Sequence, residues 1–130
     1  MNRTASCACG ALKAEVTGEP IRVAICHCHA CRTRGGSAFS WNARFAAEAV
    51  TMTGDNRSYI RIGDEGSEIT YHFCPHCGVA VWYENSAVPG IAIPVGAFAP
   101  GDLLPPTVSV YHDRKPDWFA LADPDIDIWD

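Results

Sequence analysis

The chain has 130 residues, 48% of them apolar, with a formal charge of −5 and a pI near 5.4. That length supports one hydrophobic core, so residues 1–130 read as a single domain, and the apolar fraction excludes a disordered chain. The acidic balance, with "RTR" and "DRK" as its only basic clusters, argues against nucleic acid as a partner. No stretch suits a membrane span or an export signal, so a cytoplasmic location is expected.

In chain order, "ALKAEVT" alternates with Leu12, Ala14 and Val16 on one face, the pattern of a half-buried strand. "IRVAIC" is a second strand that runs directly into a cysteine cluster. "HACRTR" and "NARFAAEA" are the only stretches with helical character, and both are brief. "SYIRI", "EITYHF", "VAVWYE" and "TVSVYHD" are further strands, rich in Val, Ile, Tyr and Phe. Turn signals separate them: "TGEP", "TGDN", "GDEGS", "VPG" and "APGD". The acidic tail "DPDIDIWD" is expected on the surface with Trp129 folded back. The whole predicts a mainly β domain with short helical turns.

Seven cysteines is an odd number for a disulfide framework, and clustered thiols in a reducing compartment are metal ligands or redox groups. Cys7 and Cys9 form "CAC" before Gly10; Cys74 and Cys77 form "CPHC" before Gly78. In a zinc knuckle the backbone aims amide N–H groups at the first sulfur, and Gly accepts the left-handed conformation that follows. A thioredoxin-like use of C-x-x-C needs a helix after the motif, whereas here strand-like "VAVWYE" follows, so a hairpin knuckle fits better. Cys7, Cys9, Cys74 and Cys77 are therefore expected to hold a structural zinc. His72 and His76 are expected outside the ligand set.

Cys26, Cys28 and Cys31 remain, all within "CHCHAC". Three thiolates occupy three corners of a tetrahedron. A structural site fills the fourth corner with protein, here His27, His29 or His112, and a catalytic site leaves it to water or substrate. An open zinc–thiolate site suits capture of an external thiol, whose proton the metal displaces. Zn²⁺ with three thiolates carries a net −1, which Arg32 and Arg34 could offset, or those arginines could clasp substrate carboxylates. "GGSAFSW" is either a substrate loop walled by Phe39 and Trp41 or an ordinary turn into a strand. Trp118 is expected to pack against the sheet, and His112 could line the pocket.

In order, C-x-C-G, C-H-C-x-x-C, a Gly/Ser-rich loop with aromatics, F-C-x-x-C-G and the late "VYHDRKPDW" resemble the family of glutathione-dependent formaldehyde-activating enzymes, which also includes centromere protein V. The resemblance runs from Cys7 to about Asp123. It implies a β-tent of several coiled antiparallel sheets and up to two Zn²⁺ per chain, one structural and one catalytic, the latter on Cys26, Cys28 and Cys31. It also implies carbon–sulfur bond formation between glutathione and formaldehyde.

Two functional expectations follow. In the first, the chain is a zinc-dependent carbon–sulfur lyase in which a small thiol adds to a small aldehyde, with His27 or His29 moving the proton. In the second it is a zinc-stabilised binding module whose second site is closed by a histidine. Acidic charge and strand edges permit a homodimer.

Overall fold

A computed structural model of the chain describes residues 2–130. In chain order the elements are β1 (Asn2–Ser6), β2 (Lys13–Thr17), β3 (Arg22–Cys26), α1 (His29–Gly35), β4 (Ser40–Phe45), β5 (Val50–Thr53), β6 (Arg57–Ile62), β7 (Glu68–Phe73), β8 (Ala80–Asn85), β9 (Val88–Pro94), β10 (Val108–Val110) and β11 (Asp127–Trp129). Short 3₁₀ turns link several of them. No helix among the described residues is long and apolar enough to cross a membrane.

The strands form two sheets. β1, β2 and β5 make a three-stranded antiparallel sheet, and the remaining eight run in the order β11-β10-β3-β4-β9-β8-β7-β6. The large sheet is antiparallel except around β10, which lies parallel to both β3 and β11. The tail does fold back: β11 joins the sheet, and the Arg22 guanidinium sits 5.1 Å above the Trp129 ring.

The core lies between the sheets. Leu12, Ala14 and Val16, the face read from the alternation, are fully buried against Ala43 and Phe45 of β4, Val81 of β8 and Ile93 of β9. Phe45 meets Phe98 edge-on at 6.2 Å between ring centroids. Burying a ring of this size contributes about 1.5–3 kcal/mol.

Two assignments are corrected. "NARFAAEA" is not a helix: Asn42 to Phe45 belong to β4, and only Ala47–Ala49 form a 3₁₀ turn. β4 pairs with β3 on one side and β9 on the other, and this pairing, with burial of Ala43 and Phe45, overrides the weak helical preference of an Ala-rich run. "VPG" is not a break but the start of β9, where Gly90 at φ +93° brings the chain against β4; a Cβ there would stand 2.5 Å from the Phe45 carbonyl oxygen.

Candidate active site

The first cysteine group joins two hairpin turns of the same construction. In one, Cys7 N–H donates to the Leu12 carbonyl (2.9 Å) and Gly10 N–H to the Cys7 carbonyl (3.2 Å). In the other, Cys74 N–H donates to Val79 (3.0 Å) and Gly78 N–H to Cys74 (2.8 Å). Gly10 (φ +81°) and Gly78 (φ +78°) take the left-handed backbone that closes each turn. The turns aim amides at sulfur: Leu12 N–H lies 3.2 Å from Cys7 Sγ and His76 N–H 3.4 Å from Cys74 Sγ. Amide donation from Val79, then from Cys9, holds the Cys77 thiol down to about 6.

All four sulfurs lie within 4.8 Å of one another. Cys9 Sγ is 3.7 Å from Cys7 Sγ and 3.6 Å from Cys74 Sγ. A tetrahedron with Zn–S bonds of ~2.3 Å has edges of ~3.8 Å, so the donor set fits Zn²⁺ in both chemistry and size. His72 stays outside it, stacked on Trp82 and bonded to Asn56.

The second group is assembled by one short segment. Cys26 ends β3, Cys28 precedes α1 as its N-cap, and Cys31 lies in the first turn of α1. Their sulfurs also lie within 4.8 Å of one another, and no histidine nitrogen or carboxylate oxygen among the described residues joins them. Hydrogen bonds from the Cys26 thiol, then from Cys31, pull the Cys28 thiol down to about 2, and the Arg61 guanidinium adds to the effect. The resulting negative charge pushes the Cys26 thiol up.

The histidines point elsewhere. On β3, Arg22, Ala24 and Cys26 face one way, while Val23, Ile25 and the following His27 face the other and are buried. His27 Nε2 lies 2.8 Å from Ser109 Oγ, which lies 2.8 Å from His112 Nδ1, so the three form a chain behind the sheet. Burial first, and then the neighbouring His112 and Lys115, lower the His27 pKa and disfavour the charged form of its ring. His29 is exposed at the start of α1. His112 does not line the cavity described next.

On the opposite face of β3, the three cysteines open into a cavity of about 190 Å³. Its floor is β3 and β4, contributing Ala24, Cys26 and Asn42; its walls are Tyr71 of β7, Tyr83 of β8 and Arg34 of α1. The Arg34 guanidinium sits 4.8 Å over the Tyr71 ring and 5.0 Å from that of Tyr83. Arg61 Nε donates to the Tyr71 phenol oxygen at 2.9 Å. Burial pushes the Tyr83 phenol up to about 12. Tyr111, also on the cavity, holds φ +52°, an uncommon value outside glycine and a form of strain that collects at functional sites.

Of the two arginines that follow Cys31, Arg34 lines the cavity and Arg32 does not. "GGSAFSW" is the turn into β4: Gly36 caps α1 at φ +67°, Phe39 packs on His27 and Phe119, and Trp41 Nε1 donates to the Leu104 carbonyl at 2.9 Å. Trp118 is not a packing residue of the sheet. It is 77% exposed and meets Phe119, because its segment runs over the surface outside any strand. Sequence reasoning missed Arg22, Arg44, Arg61, Asn42, Tyr71 and Tyr83. The available signal was the alternation of a strand, which puts Arg22, Ala24 and Cys26 on one face.

The fold is similar to that of a Rhodobacter sphaeroides protein whose crystal structure comes from a structural genomics programme. The TM-score is 0.59 with 22% identity, covering 77% of this chain and 94% of that one, a likeness of fold alone. No curated protein matches the sequence significantly. The model of the glutathione-dependent formaldehyde-activating enzyme family matches residues 2–114, and the chain belongs to that family.

Proposed function

We propose that the chain is a carbon–sulfur lyase that adds a glutathione-like thiol to formaldehyde or a similarly small aldehyde, and reverses that addition. The observation that carries the reading is the second cysteine group: three convergent sulfurs, no fourth protein ligand among the described residues, and a cavity opening onto them. Cys26, Cys28 and Cys31 would hold a Zn²⁺ there. A bound Zn²⁺ supplies a thiophilic Lewis acid that favours the thiolate form of an incoming thiol at neutral pH.

The chain's own residues do the rest. Arg61 and Arg34 place positive charge beside the thiolates, which lowers the cost of admitting a further anion. In the addition, the substrate sulfur gives its electron pair to the aldehyde carbon, the C=O π bond becomes an O–H bond, and the proton lost from the thiol balances the one gained by oxygen. We assign proton donation to Tyr71: its oxygen accepts from Arg61, which leaves the phenol O–H free to donate into the cavity. His27 takes a positioning role, since its ring bonds Ser109 behind the sheet.

Exchange NMR on glutathione with formaldehyde, in the presence of zinc-replete protein, tests the assignment. Accelerated interconversion that Cys28→Ala abolishes supports it. Unchanged exchange with both metal sites filled would refute glutathione as the thiol. X-ray absorption at the second metal gives an independent check. Three sulfurs with an oxygen support an open site, and three sulfurs with an imidazole nitrogen would turn the reading to a binding module.

A further inference from the structure

β6 ends the large sheet and bonds to β7 alone, through the unbroken register from Arg57↔Phe73 to Ile62↔Glu68. Natural edge strands are kept from pairing with other chains by shortness, proline, a bulge or a charge. The opposite end of the sheet follows that rule, since β11 is three residues long and includes Asp127. β6 does not. It has six residues with no proline and no bulge, and Tyr59, Ile60 and Ile62 stand 63%, 54% and 62% exposed on it.

The hairpin turn determines which main-chain groups of this edge are free. Gly63 N–H donates to the Ser67 carbonyl at 2.8 Å, next to the Ile62↔Glu68 pair. Bonded and non-bonded pairs alternate along an antiparallel ladder. Arg57, Tyr59 and Arg61 therefore turn their N–H and C=O groups to β7, and Ser58, Ile60 and Ile62 turn theirs outward. Side chains alternate as well. Tyr59 and Arg61 share the face of Tyr71 and Phe73, and Ser58, Ile60 and Ile62 lie on the other.

These two alternations make the edge complementary to itself, and we infer that β6 is the dimer edge of the protein: two copies join antiparallel about Ile60 into one continuous sheet. A twofold axis through such an edge pairs residues of the same face, so every allowed register centres on a residue. Centring on Ile60 sets Ile60 against Ile60 and Ser58 against Ile62, and each outward residue then exchanges both of its main-chain bonds. The same register sets Arg61 beside Tyr59, a cation–π pairing, and Arg57 beside Gly63, so no like charges meet. Centring on Tyr59 opposes Arg57 to Arg61, and centring on Arg61 opposes that residue to itself; each also leaves one outward residue facing chain beyond the strand. Six residues span ~20 Å, an interface at the small end of the specific range, so the dimer forms reversibly with concentration. The inference is independent of the thiol chemistry, yet the edge reaches the cavity. Arg61 lines both, with its Nε donating to the Tyr71 phenol oxygen, and the partner's Tyr59 covers its free side.

The test is sedimentation velocity of the zinc-replete chain from micromolar to millimolar concentration, with amide exchange followed by NMR at both ends of that range. A species of twice 14.1 kDa should grow with concentration. In it the Ser58, Ile60 and Ile62 amides should exchange at least about tenfold more slowly than in the monomer, while those of Tyr59 and Arg61, bonded to β7 in both, change little. Ile60→Lys brings like charges together on the axis at a position already open to solvent. It should hold the chain monomeric, with Tm at low concentration unchanged. Ile60→Pro should also keep it monomeric, by removing an outward N–H that β7 does not use. A chain that stays monomeric at millimolar concentration would overturn the inference, as would a dimer whose Ser58, Ile60 and Ile62 amides remain unprotected. A dimer that survives both substitutions would overturn it too. The exchange measurement needs no variant, so a folding defect in either one cannot obscure the answer.

Discussion

Replacing Cys74 and Cys77 together by Ala removes one knuckle's whole share of the four-sulfur site, and the cost can be worked from its geometry. Structural zinc sites with four good ligands bind with about 10–16 kcal/mol of apparent free energy at pH 7, or Kd values from about 50 nM to about 2 pM. At about 10 μM free Zn²⁺, linkage converts these to about 3–9 kcal/mol of folding stability. The present site ties residues 65 apart, Cys9 to Cys74. Closing that loop instead of the ~20-residue loop of a zinc finger takes back only about 1 kcal/mol, because closure entropy grows with the logarithm of length. The expected loss of about 2–8 kcal/mol compares with about 5–15 kcal/mol of total stability for an ordinary domain. For a chain of this size each kcal/mol moves Tm by about 3–5 °C, so a fall of at least about 6 °C is expected and complete unfolding lies within range. Thermal melts with metal counted per chain decide the matter. A double variant that lacks one zinc yet melts within about 3 °C of the parent would refute a stabilising role for the first site.

Tyr71→Phe should slow thiol–aldehyde exchange about a hundred-fold, the lower range for loss of a positioned proton donor, with zinc content and Tm held; line-shape NMR reads the rate. Ser109→Ala removes the hydroxyl between two imidazoles in a fully buried place and should cost about 1–3 kcal/mol in urea unfolding. A variant as stable as the parent would show that the His27–Ser109–His112 chain adds nothing to stability. Gly90→Ala forces a side chain into φ +93° and against the Phe45 carbonyl, so a loss above about 2 kcal/mol is expected in the same assay.

What the sequence discloses here depends on how local the determinant is. The second cysteine group is complete within Cys26 to Cys31, and both knuckles announce themselves as cysteines followed by a glycine, so the two groups that could hold a metal were legible without a structure. The strands β2, β3, β6, β7, β8 and β10 were legible for the same reason, since alternation or β-branched content is a property of five or six consecutive residues. The cavity is different. Arg61 from β6, Tyr71 from β7, Tyr83 from β8 and Arg44 from β4 meet only because the large sheet curls on itself, as twisted sheets of many strands do. No window of the chain contains that curl.

One misreading concealed both a strand and a binding face. Read as a helix, "NARFAAEA" puts Asn42 and Arg44 two positions and ~200° apart, on unrelated sides. Read as β4, the same spacing puts both on one face, opposite Ala24 and Arg22, while Ala43 and Phe45 turn to the core. The polar residues of this segment were uninformative as long as the helical period was assumed, because nothing then linked them to Cys26. Under the strand period they continue the line that Cys26 begins. Assigning β4 is therefore the step on which the cavity floor depends, and it needs only one long-range fact, the pairing of β4 with β3. With that register given, the strand period alone puts Arg22, Asn42 and Arg44 on the face that Cys26 shares.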